Sequence, residues 1–201
     1  MNKAVIVSYA RTPIGKFRGS LSHLTAPQLG AAAIRGALSR LDDDNVRTTI
    51  AEAYLGNVLS AGIGQAPCRQ AVLGAGLQES IICNTINKVC ASGMKSIMLA
   101  SQAIECNAHG GVNRPFAMLA GGMESMSNTP HYLPSSRSGT TLGNAQLLDG
   151  IIHDGLWDPY DNGEVSIRLR YFRYELLFGI SKLIVLFTRH NAAKSSHGIV
   201  C

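Results

Sequence analysis

Residues 87–96, NKVCASGMKS, place a cysteine, Cys90, where a β-branched apolar stretch gives way to a helix rich in small residues. The unpaired amides and the dipole at a helix N-terminus favour a thiolate, so a cysteine there is suited to nucleophilic attack. Ala91, Ser92 and Gly93 leave room for a substrate to approach the sulfur. The same residues also suit an ordinary buried cysteine, and local chemistry leaves both readings open. Cys68, Cys83 and Cys106 read as structural. The five cysteines contain no CxxC pair and no histidine at metal-ligand spacing, which argues against a zinc site and a disulfide framework. A reducing, cytoplasmic setting is the expectation that follows.

Positioning Cys90 requires an alternation of strands and helices. Residues 4–10 are apolar and β-branched, as in a fully buried strand, and Pro13 ends the run. Thr25 reads as an N-cap, Pro27 fits a first helical turn, and Ala31, Ile34, Leu38 and Leu41 recur at helical spacing until Asp42–Asp44 stop them. A strand over 53–58, a glycine loop at 62–64, a short helix over 67–73 and a strand over 81–89 follow. The spacing then predicts a helix over 90–107 that buries Met94, Ile97, Met98 and Ile104, and a strand over 115–120 closed by Gly121 and Gly122. This order implies a layered α/β domain with a largely parallel, buried sheet.

From residue 124 to about 162 the composition turns to Ser, Thr, Asn, Gly and Pro, a long excursion of the kind that often carries function. Residues 163–201 differ again: they hold six Lys and Arg against two Glu, a net of +4, while residues 1–162 hold twelve basic against eleven acidic, a net of +1. The overall +5 therefore belongs mostly to this segment and gives no reason to expect a nucleic-acid partner. No membrane association is expected either, because the apolar stretch 176–187 is short and interrupted by Lys182. With a strand-like run starting at residue 4, no signal peptide or Arg-rich presequence is expected. With 46 % hydrophobic and 15 % charged residues in 201, collagenous, low-complexity and disordered classes are excluded.

Three further strings accompany NKVCASGMKS: RTPIG at 11–15, GQAPCRQ at 64–70 and AGGMESMSNTPHYLP at 120–134. Together and in this order they resemble the N-terminal half of a thiolase over residues 1 to about 162, and within that family the acetyl-CoA C-acetyltransferases most. The resemblance implies a βαβαβαββ half of a layered α/β/α fold. It divides the chain into a thiolase N-terminal domain over 1–123, the start of an inserted CoA-binding loop domain over 124–162, and a basic tail over 163–201 outside the family, with the C-terminal half absent. The tail reads as translated intron or shifted frame would.

The resemblance also implies a chemistry. Cys90 would attack the thioester of acetyl-CoA and become acetylated, and the carbanion of a second acetyl-CoA would then take the acetyl group to give acetoacetyl-CoA, or the reverse thiolysis would run. The backbone amide of Cys90 would serve as one oxyanion donor, and Gln65 and Arg69 would support the nucleophile. Coenzyme A thioesters are substrates in this scheme, no separate cofactor or metal is called for, and the family is homo-oligomeric, as dimers or tetramers. The family's Gly-His-Pro histidine, its second cysteine before a glycine run and its Asn-Glu-Ala-Phe segment have no counterpart in these 201 residues. The expectation is a thiolase-type acyltransferase of lipid metabolism that is inactive as this chain. The alternative is a non-catalytic product that at most associates with an intact thiolase subunit.

Overall fold

The computed structural model describes residues 3–41, 45–106, 116–139, 142–160 and 184–190. β1 spans Lys3–Ala10, α1 Ala26–Leu38, α2 Asn45–Thr48, β2 Ile50–Gly56, α3 Pro67–Gly74, β3 Ile82–Ile86, α4 Ser92–Glu105 and β4 Ala117–Gly122. Two short strands, β5 (His131–Tyr132) and β6 (Leu148–Asp149), pair in the excursion, and β7 covers Ile184–His190. The main sheet has the order β1-β7-β4-β2-β3. β2 runs parallel to β3 and β4, and β7 runs antiparallel to both β4 and β1. Four strands thus share one direction and β7 alone opposes them.

Local signals set the helix boundaries. Thr25 caps α1 with a reciprocal pair: its N–H donates to Gln28 Oε1 at 2.9 Å and its Oγ1 accepts from the Gln28 N–H at 3.4 Å. Pro27 occupies the first turn, where its missing N–H costs nothing. Ile34, Ala37 and Leu38 of α1 pack with Cys68, Ala71 and Val72 of α3 and with Ala53, Leu55 and Leu119 of the sheet. On the opposite face α4 packs Ala100 and Ile104 against Phe116, Met118 and Ala120. The result is the α/β/α layering that the sequence predicts, with helices on both faces of a mixed sheet.

Two expectations about buried faces are corrected. β1 is not fully buried: Ile6 and Tyr9 are each 59 % exposed, while Ser8 and Ala10 point inward. α1 lies too close for larger groups there, since the Ser8 hydroxyl donates to the Ala37 carbonyl at 2.7 Å and a side chain on Gly36 would meet Ala10 Cβ at 3.3 Å. α4 likewise buries Ser92, Gly93, Ser96, Ala100 and Ile104, leaving Met94 68 % and Met98 49 % exposed. The cause is close packing on β2, where a Cβ on Gly56 would stand 2.6 Å from the Ser92 carbonyl carbon and 2.7 Å from the Gly93 nitrogen. Smaller differences concern ends: β4 incorporates Gly121 and Gly122, and the 42–44 stop to α1 and the strand's start at Pro115 lie outside the described residues.

Candidate active site

Cys90 lies two residues ahead of α4, after β3, and its side chain is exposed. The turn that carries it is strained. Val89 has φ 47°, a left-handed conformation that a β-branched residue rarely adopts and that costs roughly 1–3 kcal/mol. Three hydrogen bonds hold it: Asn87 Oδ1 accepts from the Val89 N–H at 2.9 Å, Ser92 Oγ accepts from the Lys88 N–H at 2.8 Å, and the Ser92 hydroxyl donates to the Val89 carbonyl at 2.6 Å. Ser92, itself 4 % exposed, therefore ties the turn to the first residue of the helix.

A cavity of about 270 Å³ opens beside Cys90. Its walls come from the C-terminal ends of β2 and β4, the start of α4, and Gly155 and Leu156 of the excursion. Apolar Leu59, Met123, Met126 and Leu156 line it, and Cys90 and Glu124 are the ionisable groups among the described lining residues. This is the position at which parallel α/β sheets bind ligands, beyond the carboxyl ends of the strands. No histidine lies among the described lining residues.

Polar groups fix the walls and the loops around them. Glu124 accepts hydrogen bonds from Asn57 Nδ2 at 2.8 Å, from the Val58 N–H at 2.9 Å and from the Leu59 N–H at 3.3 Å. Asn57, 1 % exposed, also donates to the Met123 carbonyl at 3.3 Å and accepts from the Ser60 hydroxyl at 2.6 Å. The segment after β4 is anchored to the loop before α1: Ser125 and Asn128 both donate to the Leu24 carbonyl, at 2.7 and 2.9 Å. Gln70 Nε2 closes the glycine loop on the carbonyls of Ile63 and Gln65, at 2.9 and 2.7 Å, and Arg69 donates to the Glu79 carbonyl at 3.0 Å.

The excursion folds back on this site. Tyr132 on β5 donates to Asp154 Oδ2 at 2.5 Å and stands edge-on to His153, with ring centroids 6.5 Å apart. The Asp154 carboxylate, chiefly by that hydrogen bond, holds the Tyr132 phenol up to about 12. The bond pins a π-helical turn over Ile152–Leu156, and a Cβ on the turn's Gly155 would stand 3.3 Å from Leu59 Cδ2. The turn thus closes the cavity against the β2 loop.

Sequence reasoning singled out Cys90, and the structure puts it at the mouth of this cavity. It missed Asn57 and Glu124. Their signal was a single acid in an otherwise uncharged stretch directly after a buried strand ending in glycines. Among the methionines, Met123 and Met126 line the cavity, Met118 is in the core, and Met94 and Met98 face outward. Among the described residues no cluster of three or more His, Cys, Asp or Glu could hold a metal, and no helix is long and apolar enough to cross a membrane.

The profile of the family described as "Thiolase, N-terminal domain" matches residues 4–172. The chain belongs to the thiolase family. The match ends ten residues beyond the 162 at which the family strings give out in the sequence. Similar proteins include acetyl-CoA acetyltransferase 1 of Arabidopsis thaliana, 55 % identical over 157 residues, covering 78 % of this chain and 36 % of that protein. Acetyl-CoA acetyltransferase of Saccharomyces cerevisiae is 50 % identical over 157 residues, 78 % of this chain and 38 % of its own length. The mitochondrial acetyl-CoA acetyltransferase of Bos taurus is 54 % identical over 161 residues, 80 % of this chain and 36 % of its own length. This thiolase-family chain therefore spans well under half the length of the curated relatives it matches.

Proposed function

We propose that the chain carries the acyl-accepting half of an acetyl-CoA acetyltransferase site, with Cys90 as nucleophile. The observation that carries the proposal is an exposed cysteine on a strained, triply hydrogen-bonded turn at the mouth of an apolar cavity. The Cys90 sulfur attacks the thioester carbonyl of acetyl-CoA, the Cys90 amide and the start of α4 stabilise the oxyanion, and CoA leaves as its thiolate. A sulfur nucleophile suits this step because it enters and leaves a thioester with similar ease. The apolar cavity has the size for a short acyl group, and Glu124 acts on the reaction only by fixing the Asn57–Leu59 wall.

Condensation needs a base to form the second carbanion and another to activate the thiol. No motif for either occurs in the 201 residues. The expected behaviour of this chain by itself is slow single acetylation without turnover, since the thiol lacks its activating base and the two steps are separable through the covalent intermediate. Incubation with acetyl-CoA followed by intact mass spectrometry tests it. One acetyl adduct should appear, map to Cys90 and vanish in Cys90→Ser, with no acetoacetyl-CoA released. An adduct that persists in Cys90→Ser overturns the assignment, and sustained acetoacetyl-CoA formation overturns the need for further bases.

A further inference from the structure

A second pair of cysteines meets beneath α3, away from the Cys90 cavity. Cys68, in the first turn of α3, is fully buried. Its thiol donates to the Ala53 carbonyl of β2 at 3.5 Å and its N–H donates to Thr85 Oγ1 of β3 at 3.1 Å. Cys83 is the β3 residue in register with that same Ala53. The ladder and the helix thus bring both cysteines to the same strip of the sheet, where the Cys83 thiol donates to the Ile81 carbonyl at 3.3 Å. Cys83 remains partly open to solvent and Cys68 does not.

The pair is electronically unequal. The neighbouring Cys68 and the Arg69 guanidinium draw the Cys83 thiol below its ordinary range, against the opposing effect of burial. The nearby Cys83, with burial, pushes the Cys68 thiol up. A partly exposed, thiolate-prone cysteine next to a buried thiol is the arrangement of an attacking and a resolving cysteine. The acyl-transfer reading makes no use of either residue.

We propose that Cys83 and Cys68 form a hydroperoxide-responsive oxidation site that closes as an intramolecular disulfide. The Cys83 thiolate attacks one oxygen of hydrogen peroxide, the O–O bond breaks, Cys83 becomes a sulfenic acid, and the departing hydroxide takes a proton to become water. The Cys68 sulfur then attacks the sulfenic sulfur, its proton leaves with the hydroxyl as a second water, and the S–S bond forms. The peroxide is reduced by two electrons and the two thiols supply them. The bond would join the first turn of α3 to β3, the strand that leads to Cys90.

Trypsin cleaves after Arg69 and after Lys88, so Cys68 and Cys83 fall on separate peptides. The reduced chain is treated with hydrogen peroxide, alkylated and digested without reductant. The expected product is a cross-linked pair of these peptides, about 2 Da lighter than their sum. Cys83→Ser should abolish it, and Cys68→Ala should leave a Cys83 sulfenic acid that dimedone traps and that the unmodified sequence does not accumulate. Two results on the unmodified chain alone overturn the proposal: Cys68 and Cys83 still free when the exposed Cys106 is oxidised, or Cys83 joined to any cysteine other than Cys68. Because no CoA thioester enters the assay, its failure is independent of the acyl-transfer proposal.

Discussion

At the scale of single residues, the candidate site depends on how Cys90 is held as well as on the cysteine itself. Ser92 is the clearest case. Its one hydroxyl accepts from the Lys88 N–H and donates to the Val89 carbonyl, stabilising the left-handed Val89 that presents Cys90. Ser92→Ala leaves both backbone groups without that partner in a largely buried place, a loss of about 1–3 kcal/mol. The turn should relax toward a less strained φ and carry the sulfur with it. Since a misplacement of about 1 Å can slow a positioned reaction by up to 100-fold, acetylation of Cys90 by acetyl-CoA should fall by at least tenfold. Alkylation of Cys90 by iodoacetamide, which needs no oriented substrate, should change far less. Equal slowing of both reactions, or of neither, would show that Ser92 does not position the sulfur. Cys90 stood out as a candidate in the sequence because its signal is local: a cysteine at a strand-to-helix junction followed by small residues. The carboxylate that fixes the opposite wall was not, because Glu124 and Asn57 are 67 positions apart and become neighbours only when β2 and β4 pair.

At the scale of elements, strand and helix order was readable from periodicity and caps, while the choice of buried face was not. A hydrophobic-face rule sends Met94 and Met98 inward and makes β1 wholly buried. The structure instead turns Ser92, Gly93, Ser96 and Ala100 of α4, and Ser8 and Ala10 of β1, toward their neighbours. In both cases the distance of closest approach decides, and only small side chains fit at the contact. The readable clue was a run of small residues at helical spacing facing a glycine in the neighbouring strand. Gly56 tests the point. Its added methyl group in Gly56→Ala would meet backbone of Ser92 and Gly93 at under 3 Å, and backbone cannot rotate away as a side-chain tip can. The N-terminus of α4 must shift, and Cys90 with it. Overpacking of this kind costs roughly 1–3 kcal/mol. We expect a urea midpoint lowered accordingly and acetylation of Cys90 reduced more than the stability loss alone explains at subdenaturing temperature. A variant with unchanged midpoint and unchanged acetylation would mean that the α4 contact on β2 is looser than the geometry requires.

At the scale of the whole molecule, the segment that looked most foreign supplies a central strand. Residues 163–201 carry most of the net charge and lie beyond the four family strings, yet β7 within them lies between β1 and β4, pairing Ala10 with Ile184 and Ala120 with Val185. Among the described residues β7 is the strand through which β1 joins the sheet. The βαβαβαββ pattern calls for a fifth strand after the fourth, and this segment fills that place whatever its origin. Its contribution is measurable. Leu186 pairs with Ser8 on one side and Leu119 on the other, so Leu186→Pro removes a backbone donor in a strand flanked on both sides, where proline is not accommodated. The orphaned acceptor alone costs about 1–3 kcal/mol, a large share of the roughly 5–15 kcal/mol that holds a domain of ordinary stability. Ending the chain at residue 183 removes both ladders, and β1 amides should then lose their protection from hydrogen exchange before those of β2 and β4. If Leu186→Pro and the shortened chain keep the urea midpoint and the β1 protection of the full chain, β1 docks through α1 and α4 alone. If both fall, the thiolase-like layers of this chain are completed by a strand that sequence resemblance assigned to no family element.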